Sequence, residues 1–282
     1  MVKKVLLALG TCAILSASAL AQTYGQSLDL YFGDWQSSPV HKVYGELEEQ
    51  AILTRGDALH PSAKAAVLRF ATAYQHALLV PHASTSPIRL NGQQQVYFIT
   101  SGEGKASSAH QTVELSPNIA VLMPANFEFT ITNTGDQPLA MYILEEPTVS
   151  GFHPNTSMLA RDENALPFST TDLQWSYMVK KIFVAADGLA TLNDVSTVYM
   201  DPLTISRPQD TESPDVEAVW TALQGTGITF VSNQLRRQAP GTAFLEVPDG
   251  KTPHSIIDPS ENSELKFLYF AHKPLVTANP RN

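Results

Sequence analysis

The chain has 282 residues, 43% hydrophobic and 16% charged, with 19 prolines and 15 glycines, enough to bury one large core or two smaller ones. Its formal charge of -9 and the lack of any Lys/Arg-rich run argue against nucleic acid and anionic membrane surfaces as partners, since both need clustered cations. The one cysteine, Cys12, lies in the leader, so the mature chain is expected to have no disulfide, thiolate ligand or cysteine nucleophile.

Residues 1–21 read as a secretory signal. Lys3 and Lys4 form a basic start, Val5 to Leu15 an apolar core, and Ala19-Leu20-Ala21 a cleavage site before Gln22. An apolar stretch of about 11 residues is too short to span a bilayer, so export with cleavage after Ala21 is expected, to a periplasm or outside the cell. Residues 22–61 are expected as an N-terminal arm anchored by Phe32 and Trp35. Its acidic residues Glu46, Glu48 and Glu49, near His41, read as a solvated face.

A first β unit is expected over 62–147. Ser62 to His76 suits a helix by its alanines or a strand by its run into Pro81. From Gln94 the pattern is clearer. A β-branched and aromatic run ends at Gly102-Glu103-Gly104, a second strand, Ile119 to Met123, stops at Pro124, and Phe127 to Thr132 alternates into the turn Asn133 to Asp136. Residues 148–191 form a connector. A second β unit follows over 192–273, then a tail, 274–282.

The second unit repeats the first. Glu217 to Gly227 reads like Gln94 to Gly104, and Phe244 to Val247 ends at Pro248 as Ile119 to Met123 ends at Pro124. Two long units with the same punctuation indicate a duplicated domain rather than a solenoid.

The Gly-x-Gly turn after an apolar run, followed by a proline and a polar strand, resembles the two motifs of a cupin. The whole chain therefore resembles a bicupin: all-β, two tandem jelly-roll barrels with an N-terminal arm. The resemblance implies a metal site of a His pair, a Glu and a further His. In the first unit those positions fall on Ile88, Leu90, Gln95 and Phe129; in the second they fall on Arg207, Gln209, Ala218 and His254, so His254 alone survives and no metal is expected.

The first expectation is therefore a metal-free bicupin binding a small organic or sugar-like ligand, with Ile88, Leu90, Gln95, Phe129, Arg207, Gln209 and Trp220 as pocket candidates. The alternative is a bicupin enzyme acting around His254. A metal-free isomerase, epimerase or cyclase would need only an acid/base pair, His254 with Glu217 or Asp258, whereas a dioxygenase, decarboxylase or aminohydrolase would need a divalent metal there. Pairing through cupin sheet edges into a homo-oligomer is a third expectation.

Overall fold

The computed structural model describes residues 28–172, 175–211 and 213–274; the expected leader, with Cys12, lies outside them. Among the described residues the regular structure is β-strand with three short 3-10 turns. The strands of the first half are β1 (Phe32–Asp34), β2 (His41–Val43), β3 (Leu47–Arg55), β4 (Ala66–Leu68), β5 (Ala73–Leu79), β6 (Ile88–Arg89) and β7 (Gln93–Ser101). They continue with β8 (Gly104–Ser107), β9 (Thr112–Leu115), β10 (Ile119–Met123), β11 (Glu128–Asn133), β12 (Leu139–Pro147) and β13 (Leu159–Asp162). The second half has β14 (Tyr177–Val184), β15 (Asp194–Met200), β16 (Glu217–Gln224) and β17 (Gly227–Val231). It ends with β18 (Gln234–Gln238), β19 (Thr242–Leu245), β20 (His254–Ile257) and β21 (Leu265–His272).

Each half is a jelly roll of two facing sheets. In the first, the order β13-β10-β7-β12-β5-β3-β2 faces β6-β11-β8-β9; in the second, β1-β19-β16-β21-β15-β14 faces β18-β17-β20. Among the described residues the ladders do not run on from one sheet into the other, so neither half closes there as a hydrogen-bonded barrel. The alternation of β11 holds, with Phe129 and Ile131 buried and Glu128 exposed. Ser62 to His76 resolves as β4 and the start of β5, with no helix, because Val67, Leu68 and Tyr74 all bury in the core.

The described part of the expected arm, residues 28–61, is built into the sheets. β3 pairs along β5 in the first large sheet, and β1 adds to β19 in the second, so this stretch stitches the halves together. Glu49, on β3, consequently points into the first half and is 9% exposed, which overturns the solvated-face reading.

β7, β12, β16 and β21 are buried on both faces and read as continuous apolar runs. One face fills the core of its own half. The other meets the opposite half, where Tyr74 packs edge-on to Phe270 with centroids 5.0 Å apart. The Gly-x-Gly turns are equivalent: Gly102 and Gly225 sit at φ 80° and 76°. A Cβ at Gly102 would fall 2.5 Å from the Pro138 carbonyl oxygen, and one at Gly225 would fall 2.7 Å from Leu265 Cδ2.

Two buried carboxylates clamp the halves reciprocally. Glu146, at the end of β12, accepts the backbone N–H groups of Ala190, Thr191 and Leu192 at 2.9, 2.7 and 2.7 Å, and the Gln94 amide at 2.6 Å. Glu217, at the start of β16, accepts those of Arg69, Phe70 and Ala71 at 2.5, 3.0 and 2.9 Å. Each half thus holds the loop that leads into the other half's first long inner strand. Between them, His272 stacks on Phe70 at 3.7 Å and bonds through Nδ1 to the Thr191 carbonyl. Burial raises the Glu217 carboxyl above its ordinary range, although the three N–H donors pull it down.

The first half's interior is filled. Glu145 accepts Thr72 Oγ1, Gln93 and Gln95 at 2.8, 2.8 and 2.9 Å, and the Tyr97 hydroxyl donates to Gln95 Oε1 at 2.6 Å. Burial pushes the neighbouring Glu49 up to about 7; Gln75 opposes the shift and the Glu145 charge adds to it.

Removing the Glu217 carboxylate strands one buried and two part-buried N–H groups, so Glu217→Ala is expected to cost about 2–4 kcal/mol in urea unfolding. Glu217→Gln, which keeps one acceptor oxygen, should recover part of that. Glu49 predicts a pH effect with a definite sign. Its folded carboxyl keeps its proton to about 7 while the unfolded chain loses it near 4.5, so stability falls as pH rises through that window. Glu49→Gln should therefore match the parent at pH 4 and exceed it at pH 8 by about 1–3 kcal/mol; equal stability at both values would contradict the buried placement.

Candidate functional site

The second half keeps an open interior where the first is packed. Position by position the two correspond. Gln95 faces Glu145 across β7 and β12; the same rung on β16 and β21 carries Ala218 facing Ala271. Two long polar side chains of the first half are thus replaced by methyl groups in the second. One step further in, Trp220 faces Tyr269 across the same pair of strands.

A cavity of about 310 Å³ lies at this end of the second half. Its aromatic wall is Tyr177, Trp220 and Tyr269, with centroids 5.3 Å (Tyr177 to Trp220) and 4.6 Å (Trp220 to Tyr269) apart. Burial raises the Tyr177 and Tyr269 hydroxyls well above their ordinary range, so both stay protonated. Gln209, Asp210, Thr211, Ser213 and Val216 also line the cavity.

Charge lines the cavity at two places. On β14 and β15, Lys181 lies 2.7 Å from Asp194 and 3.4 Å from Asp172. Asp194 also accepts the Ser196 hydroxyl, and Lys273 lies 3.7 Å from it, above the Tyr269 ring at 5.3 Å. The other place is Glu246, just past β19, whose N–H bonds to the Ala218 carbonyl. Its Oε1 accepts the Trp220 indole N–H at 2.7 Å and faces His254 Nε2 at 3.2 Å. Burial alone would push the Glu246 carboxyl up. The His254 charge, its hydrogen bond and the Trp220 N–H outweigh that and hold the group below the ordinary carboxylate range.

His254 is 2% exposed and lies behind Glu246, so it supports the cavity rather than lining it. A carboxylate only accepts, so Nε2 carries the proton in this contact. Nδ1 is buried without a hydrogen-bond partner, and Gln209 Nε2 approaches Nε2 at 3.4 Å.

Neither expected partner of His254 is beside it. Glu217 faces the opposite half, as its strand position one residue from Ala218 dictates. Asp258 lies beyond the end of β20 and accepts the Ser260 N–H at 2.8 Å; Asn133, its counterpart, accepts the Gly135 N–H at 3.0 Å. Asp258 is a turn residue. The partner missed was Glu246, for which one signal existed: a lone carboxylate in the apolar run Phe244-Leu245-Glu246-Val247.

Of the pocket candidates, Gln209 and Trp220 line the cavity, while Arg207 is exposed and away from it. Gln209 bridges to His254 as Ile88 pairs with Phe129, so the equivalents of Ile88 and Leu90 are Gln209 and Thr211, not Arg207 and Gln209. Ile88, Leu90 and Phe129 are at most 1% exposed and belong to the first half's apolar core; Gln95 is engaged with Glu145 and Tyr97.

The donor set does not fit the metal site that the resemblance implies. Gln209, Thr211, Ala218 and His254 offer one imidazole, and its Nε2 already faces Glu246. Among the described residues no three His, Cys, Asp or Glu side chains gather as a metal-binding group.

No family model matches the chain, and no curated protein matches it. Solved structures do. A putative glyoxylate-induced protein from Pseudomonas aeruginosa superposes with a TM-score of 0.64 at 14% identity, covering 82% of each chain. Vicilin from Corylus avellana gives 0.64 at 12%, over 86% of this chain and 85% of its own. An oxalate decarboxylase from Lactobacillus farciminis, in a formate complex, gives 0.62 at 11%, over 87% and 86%. A cupin 2 conserved barrel domain protein from Leptotrichia buccalis gives 0.53 at 14%, over 83% and 92%. With its two jelly rolls in tandem, the chain is a bicupin in fold.

Proposed function

We propose that this protein is an exported bicupin whose second half binds a small polar organic ligand in the cavity between Trp220, Tyr269 and Glu246. One observation carries the reading: a cavity with an aromatic wall also holds a carboxylate kept ionised by His254 and Trp220. Ligand sites combine apolar walls with a few oriented polar groups in this way. The first half is structural, since Ile88, Leu90, Phe129 and Gln95 occupy its interior. Export rests on the leader, residues 1–21.

The fold itself does not choose an activity, because an oxalate decarboxylase and a vicilin share it. The Glu246–His254 contact supports a second reading, acid–base catalysis on the bound ligand. That reading predicts exchange of a ligand C–H for deuterium in heavy water, lost in His254→Gln.

Calorimetric screening of small organic compounds tests the binding reading. Trp220→Phe keeps a ring and loses the N–H to Glu246, and should weaken any hit about tenfold or more. Gln95→Ala, in the first half, should leave it unchanged. Equal weakening by both variants, or by neither, would sink the assignment to the second half.

A further inference from the structure

The charges that line the cavity define the class of ligand. Four carboxylates line it, the exposed Asp210 with Asp172, Asp194 and Glu246, against the two ammonium groups Lys181 and Lys273 and the His254 charge behind Glu246, so acidic groups still outnumber basic ones and the cavity favours positive charge. Lys181 is satisfied by Asp194 and Asp172. Both protein donors to Glu246 use Oε1, and Oε2 is left for the cavity that Glu246 lines.

Lys273 shows what such a cavity holds. Its ammonium sits 5.3 Å from the centroid of the Tyr269 ring and 3.7 Å from Asp194, a cation on an aromatic face beside a carboxylate. It is a loose occupant, its side chain about half exposed against 8% for Asp194. Lys273 comes from the last described strand's end, where Asn193 bonds its backbone N–H at 3.1 Å and the carbonyl as well, so the backbone is fixed while the ammonium can swing away.

We infer that the ligand is a small organic amine, bound as its ammonium ion, which takes the place that the Lys273 ammonium holds at Tyr269 and donates to the free Glu246 oxygen. The apolar body of the amine lies along Trp220 and Tyr177. This rests on the proposed binding role of the second half and names its substrate class. The cavity volume, about 310 Å³, lies at the small end of ligand sites, which suits one ring with a short amine arm. Lys273 then acts as a resident competitor that keeps the aromatic face covered until an amine arrives.

The test is calorimetry with three matched probes, benzylamine, benzyl alcohol and benzoate, on the full mature chain. The parent protein should bind benzylamine at least tenfold more tightly than the alcohol, with benzoate weakest. Glu246→Gln, isosteric and checked for folding by circular dichroism, should remove most of that preference. Lys273→Ala, at a half-exposed site, should tighten benzylamine several-fold because the competitor is gone. Benzoate binding best, with Lys273→Ala abolishing it, would overturn the amine class and leave the cavity reading standing. Equal binding of amine and alcohol, unmoved by Glu246→Gln, would do the same. No heat from any of the three probes with the parent protein would overturn both.

Discussion

Two carboxylates buried between the halves govern the rest of the structure. Glu146 and Glu217 each cradle three consecutive backbone N–H groups of the opposite half, and in each trio the innermost, of Leu192 and of Ala71, would otherwise be buried without an acceptor. The exchange is reciprocal, so neither half completes its own loop. It also reaches the cavity. The loop held by Glu146 runs straight into β15, which starts at Asp194, and His272, held against Thr191 and Phe70, is followed by Lys273. Asp194 and Lys273 enter the cavity from positions that the interface fixes.

The halves share a fold and differ in what they keep inside it. Gln95 and Glu145 give way to Ala218 and Ala271, Phe129 to His254, and Ile88 and Leu90 to Gln209 and Thr211. In the first half these positions close the interior with apolar packing and a saturated amide–carboxylate network. The second has the smaller and more polar set, with a cavity beside it. The division of labour is one of side-chain volume, since both halves keep the same strand register and the same Gly-x-Gly turns.

Much of this was legible in the sequence because it is local. The glycine turns need a left-handed residue at Gly102 and Gly225, the proline after Met123 stops β10, and alternation along β11 sorts Phe129 and Ile131 inward, whereas β19 ends at Leu245, before the expected stop at Pro248. The role of the first residues was not legible. β1 and β3 find partners in different halves, and nothing within residues 22–61 encodes which. Glu49 looked like surface for the same reason: its burial depends on β3 pairing with β5. The partner of His254 failed differently. Glu217 and Asp258 lie close to the expected motif positions along the chain, whereas contact is decided by which face a residue takes and which strand lies alongside. Glu246 reaches His254 because residue 246 continues the rung of Ala218, a fact of register that no spacing along the chain reveals.

The buried carboxylates show how environment assigns work to one residue type. Glu217 is ringed by backbone donors and holds two halves together. Glu49 has Gln75 to donate to it but the Glu145 charge nearby, and keeps its proton to about 7. Glu246 meets an imidazole and an indole N–H, which keep it ionised although it is buried. Only in the last case do the protein's donors converge on a single oxygen at a cavity wall. A carboxylate used wholly by the fold has its oxygens spoken for, as Glu146 and Glu217 do. One that is stabilised on Oε1 and open on Oε2 is prepared for a donor from outside, and that asymmetry separates Glu246 from the structural acids around it.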